Sequence, residues 1–138
     1  MSTEITIDSV EVGDELPAMQ LTLTHEQVKQ YALVAHMPGG RFMSDEEARA
    51  EGLPGQIVPG NLSLALFSRL LTGWADSGRL QRISATFRAL VRPDVPLVLS
   101  AVVTEKHQSD RGNFLECDLV LENADGERLV TGTATVAF

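Results

Sequence analysis

The stretch Asn61-Leu-Ser-Leu-Ala-Leu-Phe-Ser-Arg-Leu-Leu-Thr-Gly-Trp74 decides how the rest of the chain is read. Leu62, Leu64, Ala65, Leu66, Phe67, Leu70, Leu71 and Trp74 cover much more of a helical surface than the single apolar stripe of a helix with one wet face. A helix of this kind needs other structure around it. Just downstream the hydrophobic period drops to two. Ile83, Ala85, Phe87 and Ala89 alternate with Arg82, Ser84, Thr86 and Arg88, as in a strand with one solvated side. Three further runs of the same kind follow: Leu97, Leu99, Ala101 and Val103; Leu115, Cys117, Leu119 and Leu121; Val130, Ala134, Val136 and Phe138. Asp125-Gly126, between the last two, reads as a hairpin turn, so the expected sheet is an antiparallel meander.

Upstream of the long helix the signals are local. Met19, Leu21 and Leu23 alternate with Gln20, Thr22 and Thr24, a short strand after a loose lead-in. Thr24 and Gln27 form a capping box, and Val28, Tyr31, Ala32, Val34 and Ala35 follow at helical spacing, which predicts a helix from His25 to His36 that Pro38-Gly39-Gly40 stops. Ser44 with Glu47 opens a second, shorter helix that ends at Gly52, its first turn crowded with acids that complement the helix dipole. Leu53 to Gly60 carries Pro54, Gly55 and Pro59 and reads as a constrained loop with Ile57 and Val58 turned inward. An antiparallel sheet wrapped around one long central helix is the α+β arrangement of a hot-dog fold, and residues 1–138 are read as one such domain.

Composition limits the function. The chain has 138 residues, 43% hydrophobic and 22% charged, which suits one ordinary globular domain. Eleven Lys and Arg against 19 Asp and Glu give a formal charge of -8, a sign that disfavours nucleic acid as a partner. Cys117 stands alone, and His25, His36 and His107 show no metal-ligand spacing. No phosphate-cradling glycine loop precedes a helix, so neither a metal nor a nucleotide cofactor is expected. The apolar segment nearest to a membrane span, Leu62 to Trp74, is broken by Ser63, Ser68, Arg69 and Thr72 and falls short of the roughly 18 residues a span needs. With no leader pattern at Met1, a cytoplasmic location and no membrane association are expected.

Val10-Glu-Val-Gly-Asp-Glu-Leu-Pro17, Asp45-Glu-Glu-Ala-Arg-Ala-Glu-Gly-Leu-Pro-Gly55, Ile57-Val-Pro-Gly60 and Ile83-Ser-Ala-Thr-Phe-Arg-Ala-Leu-Val-Arg-Pro93 together resemble the MaoC-like family of (R)-specific enoyl-thioester hydratases and dehydratases. The resemblance covers nearly the whole chain and implies the hot-dog fold. The family's motif places an Asp just past the first helix, then Asn-Pro, then a His five residues after the Asp. Here those positions hold Met37, Gly39-Gly40 and Phe42, and the His of the family's Ile-Val-His-Gly turn is Pro59. Hydration of an enoyl thioester needs a base to activate water and an acid for the alpha carbon, and Met and Phe supply neither. The resemblance also implies that the start of the long helix presents backbone N–H groups to the thioester carbonyl, which falls to Gly60 and Asn61. The dipole favours negative charge there. The plainer reading of the same pair is a tight turn followed by a helix cap.

The remaining candidates are double-valued. His36 is either a relocated base or a cation complementing the helix dipole. Arg41 either meets a ligand's carboxylate or phosphate or is a solvated surface residue. Asp45, Glu46 and Glu47 read as a solvated first turn. Met37, Phe42 and Met43 line a pocket or simply fill the core, and Cys117 reads as a small inert hydrophobe. The substrate-binding set expected is Met37, Phe42, Gly60 and Asn61, with acyl-CoA or a similar thioester as ligand. Three functions stay open: acyl-thioester binding within hydratase or dehydratase chemistry; a non-catalytic subunit paired with a catalytic hot-dog partner; and a hot-dog thioesterase using His36 or Asp45. A homodimer or a heteromer with another hot-dog subunit is expected, because pairing covers sheet edges that otherwise invite aggregation.

Overall fold

The computed structural model describes residues 4–138. These form β1 (Met19–Thr22), α1 (His25–Val34), α2 (Asp45–Ala50), α3 (Gly60–Trp74), β2 (Arg79–Phe87), β3 (Pro96–Ser109), β4 (Gly112–Asn123) and β5 (Arg128–Ala137), with short 3-10 turns at Ile7–Ser9 and Gly40–Phe42. The strands make one sheet in the order β1-β3-β4-β5-β2, and every neighbouring pair is antiparallel. α3 packs against it through β2 and β3, which is the expected hot-dog arrangement.

Only β3, β4 and β5 form the expected meander. β2 does not lie next to β3; it joins the far side of the sheet against β5, with Ala85 opposite Gly132 and Phe87 opposite Val130. The connection after β2 explains the difference. Arg88 and Ala89 both donate their N–H to the Leu129 carbonyl, at 2.9 and 3.2 Å. The chain then crosses beneath the other loops: Val58 donates to the Val91 carbonyl at 2.8 Å and Asp94 to the Leu23 carbonyl at 2.6 Å. Those two bonds deliver the chain to the opposite edge, where β3 enters beside β1.

The inward residues of the sheet follow the alternation read from the sequence. Leu97, Leu99, Val103, Leu115, Leu119, Leu121, Val130 and Ala134 are buried around Phe67 and Leu71 of α3. Two expectations are revised. The first is that the helix is enclosed: it buries Ser63, Leu66, Phe67, Leu70 and Leu71, while Asn61, Ala65, Arg69, Thr72 and Gly73 stay exposed. One chain therefore covers one side of α3. The second is the loose lead-in, which is pinned instead. Gly13 donates to the Val103 carbonyl at 2.8 Å, Leu16 to that of Ala101 at 3.0 Å, and Val103 donates back to Asp14 at 2.9 Å. Ile7, Val10 and Leu16 join the core. Their apolar side chains are too widely spaced to show a period, so only the sheet reveals them as core.

Cys117 is buried on the inward face of β4. Burial, with the neighbouring Glu116 and Asp118 charges, pushes its thiol up to about 11, so it carries no thiolate near neutrality and packs as a small hydrophobe. No helix among the described residues is long and apolar enough to cross a membrane.

The one-sided burial of α3 is directly testable. Phe67→Ala removes a side chain with 0% exposure and is expected to cost about 3–5 kcal/mol in urea unfolding, whereas Arg69→Ala on the uncovered side is expected to stay within about 0.5 kcal/mol.

Candidate functional site

The site is built around the start of α3. Pro59 occupies the cap position at φ -60 and ψ 140, and no side chain caps the helix. Proline suits this place because its fixed φ leads into a helix and it has no N–H to leave unpaired. Of the first-turn amides, which have no partner within the helix, the Leu62 N–H is taken by the Pro59 carbonyl at 3.0 Å, and those of Gly60 and Asn61 are offered without a side-chain acceptor. Gly60 is closely approached by a side chain. A Cβ there would stand 2.7 Å from Cζ of Phe87 and 3.0 Å from its Cε1, so the Phe87 ring lies directly over the first residue of the helix. Phe87 is 52% exposed. It lies on the helix side of the sheet, as its alternation indicates, but at the end of an edge strand where no further strand covers it.

The second segment reaches the same place from α1. His36 sits at φ 58 just past the helix end. The Met37 N–H donates back to the Ala32 carbonyl at 2.7 Å and the His36 N–H to that of Leu33 at 3.2 Å. This is a Schellman termination with His36 in the left-handed position that glycine usually fills. His36 is therefore two residues beyond the helix, just past its Ala35 cap, rather than in its last turn; it is exposed, with no hydrogen bond to its ring among the described residues. The same reversal directs Met37 to α3: the Asn61 amide Nδ2 donates to the Met37 sulfur at 3.8 Å.

The chain then turns at Gly40–Phe42, where the Phe42 and Met43 N–H groups bond to the Gly39 and Gly40 carbonyls at 3.0 and 2.9 Å. Two bonds fasten this turn to the loop before α3. Ile57 donates its N–H to the Arg41 carbonyl at 2.9 Å, and the Gln56 side chain donates to the Phe42 carbonyl at 2.7 Å. Phe42 is half-buried, its ring near Gly39.

The structure thus runs the Met37–Phe42 segment alongside the Gln56–Asn61 segment. Met37 and Asn61 touch, and Phe42 is tied through its backbone to a residue four before Gly60. Arg41 is engaged at the surface, 3.4 Å from Glu51. Asp45 faces the other way. It accepts the Gln56 N–H at 2.8 Å and lies 3.8 Å from Arg92 and 3.9 Å from His25. The Gln56 hydrogen bond, with His25, Arg49 and Arg92, outweighs desolvation and holds the Asp45 carboxyl below its ordinary range. It is a structural anion, not a group poised to take a proton. Among the described residues no cluster of three or more His, Cys, Asp or Glu stands ready for a metal ion.

Two residues of this site carry no signal in the sequence. Phe87 reads as one more inward residue of its strand, and nothing local places its ring on Gly60. Gln56 sits unremarked among prolines and glycines, yet it is fully buried.

Residues 9–123 match the family model described as MaoC like domain. The chain belongs to the MaoC-like family. No curated protein sequence matches it significantly. Among solved structures it is similar to the unliganded R-hydratase PhaJ1 of Pseudomonas aeruginosa, with a TM-score of 0.87 and 19% identity over 96% of this chain and 84% of that one. It is similar as well to the ChsH1-ChsH2 complex of Mycobacterium tuberculosis, with a TM-score of 0.83 and 21% identity over 93% of this chain and 98% of that one. The HadBC (3R-hydroxyacyl-ACP dehydratase) complex of the same organism gives a TM-score of 0.78 and 14% identity over 92% and 96%. Likeness at these identities establishes the hot-dog fold. In this MaoC-like chain the start of α3 is flanked by the Met37 thioether and the Phe87 ring.

Two substitutions test this geometry. Gly60→Ala is expected to push the half-exposed Phe87 ring aside at a cost of at most about 1 kcal/mol, and most of that cost is expected to vanish in a Phe87→Ala background, measured as a double-mutant cycle by urea denaturation. His36→Gly is expected to raise stability by about 1 kcal/mol, because glycine takes the left-handed position without a Cβ penalty; an unchanged or lower midpoint contradicts the Schellman assignment.

Proposed function

We propose that this chain binds an acyl thioester of the acyl-CoA class at the start of α3, and does so as the non-hydrating member of a pair of hot-dog subunits. The observation that carries the reading is the Met37 sulfur lying 3.8 Å from the Asn61 amide beside uncapped helix amides. The polarising half of a thioester site is present, with Gly60 and Asn61 as donors and Met37 and Phe42 as apolar lining. The proton-transferring half is not supplied by these side chains. Backbone donors and a helix dipole stabilise charge developing on a carbonyl oxygen. Without an acid and a base, each worth about a hundred- to ten-thousandfold, they do not add water to a double bond at a useful rate.

The pairing follows from what one chain leaves uncovered. β2 is hydrogen-bonded on one side only, to β5, and an open strand edge recruits another strand. Phe87 ends that strand half-exposed, and Ala65 and Arg69 lie on the bare side of α3. A second hot-dog subunit alongside β2 covers the edge and brings its own side chains toward the start of α3. Two of the similar structures, ChsH1-ChsH2 and HadBC, are complexes of hot-dog chains, which supports this arrangement. A partner carrying an acid and a base completes the chemistry; a second copy of this chain does not. The thioesterase alternative gains nothing from Asp45, which is committed to Gln56 and Arg92.

The expected outcome is negligible crotonyl-CoA hydration by the pure protein, measurable acyl-CoA binding by calorimetry, and a dimer or heteromer rather than a monomer by light scattering. Met37→Asp with Phe42→His puts both groups back at the family's spacing and is expected to raise hydration above the wild-type background. Robust hydration by the pure wild type, abolished by His36→Ala, sinks the subunit reading and makes His36 the base.

A further inference from the structure

We infer that Gln56 is the positioning residue of this site, a buried amide that clamps the Gly39–Phe42 turn against the start of α3; its functional meaning rests on the reading that acyl thioesters bind there. Gln56 is fully buried, and a glutamine in that state must satisfy two amide donors and a carbonyl acceptor as well as its backbone groups. Every one of them is engaged. Nε2 donates to the Phe42 carbonyl at 2.7 Å and to the His25 carbonyl at 3.1 Å. Oε1 faces Nδ1 of the His25 ring. The backbone N–H donates to Asp45 at 2.8 Å, and the backbone carbonyl accepts from Nε of Arg92 at 3.0 Å. One side chain and its peptide groups thus join the start of α1, the start of α2, the 3-10 turn and the connection into β3.

The turn needs such a clamp. Gly39 and Gly40 carry no Cβ, so the chain before Phe42 has the widest backbone freedom of any pair of residues. Its internal bonds close the turn without fixing where it lies. Gln56 Nε2 and the adjacent Ile57 N–H fix it, through the Phe42 and Arg41 carbonyls, and the chain that makes these bonds becomes α3 four residues later. The amide cannot be reversed, because its oxygen would then face two carbonyl oxygens. The partners are themselves braced: Nε2 of His25 lies 2.9 Å from Asp94, and Arg92 lies 3.8 Å from Asp45.

The test is hydrogen exchange by NMR, with the Phe42, Met43 and Ile57 amides reporting on the turn and the Leu16 and Val103 amides on the sheet. Gln56→Met keeps length and apolar volume and removes the clamp. Exchange at the three turn amides is expected to rise about ten- to a hundredfold while the sheet amides stay at wild-type rates. Gln56→Glu, which cannot donate to either carbonyl, is expected to do the same. A parallel rise in the sheet makes Gln56 a general stabilising residue and overturns the inference, as does no rise anywhere. Should the Met variant fail to fold, His25→Ala removes the ring that partners Oε1, together with its contact to Asp94, and leaves both Nε2 donor bonds of Gln56 in place. It is expected to raise exchange a few-fold at the same three amides, and a rise spread over the sheet, or none, overturns the clamp. Titration of octanoyl-CoA into the same proteins separates the two readings. Selective opening of the turn with weakened binding supports both; selective opening with no binding even by wild type upholds the clamp and removes the acyl-thioester function.

Discussion

The burial of one face of α3 against an antiparallel sheet is the constraint on which everything else depends. Leu66, Phe67, Leu70 and Leu71 reach dryness only because β3 to β5 present Leu97, Leu99, Leu115, Leu119, Leu121 and Val130 to the same side. That packing fixes where α3 begins. A helix start is the one place in a helix where amides lack partners, so seating α3 on the sheet also seats its bare donors beside the end of β2 and the turn after α1. The site is a by-product of how the core is closed.

What surrounds those donors sets the chemistry. At this helix end the neighbours are a methionine sulfur, an asparagine amide and a phenylalanine ring, and the nearest carboxylate network, around Asp45, is directed at Gln56 and Arg92. Such an environment is suited to holding a carbonyl and an apolar chain and is poor at moving protons. The uncovered β2 edge, the exposed Phe87 and the bare side of α3 lie open on the same unit, and the proposed pairing rests on them.

Much of the fold was legible in residues taken a few at a time. The period of 2 in Leu97 to Val103 and in Leu115 to Leu121, the capping box at Thr24, the Ser44 side-chain cap of α2 and the Asp125-Gly126 turn all appear where they were expected. The lead-in was misread because Ile7, Val10 and Leu16 follow no period, and the meander because nothing in β2 says which neighbour it takes.

The sequence by itself determined the elements, the inward side of each strand and the absence of an acid or base at the motif positions, since periodicity, capping and side-chain chemistry act between residues close along the chain. Only the tertiary structure decided that β2 lies against β5, that the Phe87 ring rests on Gly60, and that Gln56 reaches His25 from 31 positions away. These are pairings between segments remote in sequence. They are selected by the joint packing of the core and by the need of each buried polar atom for a partner, and no local pattern records the outcome.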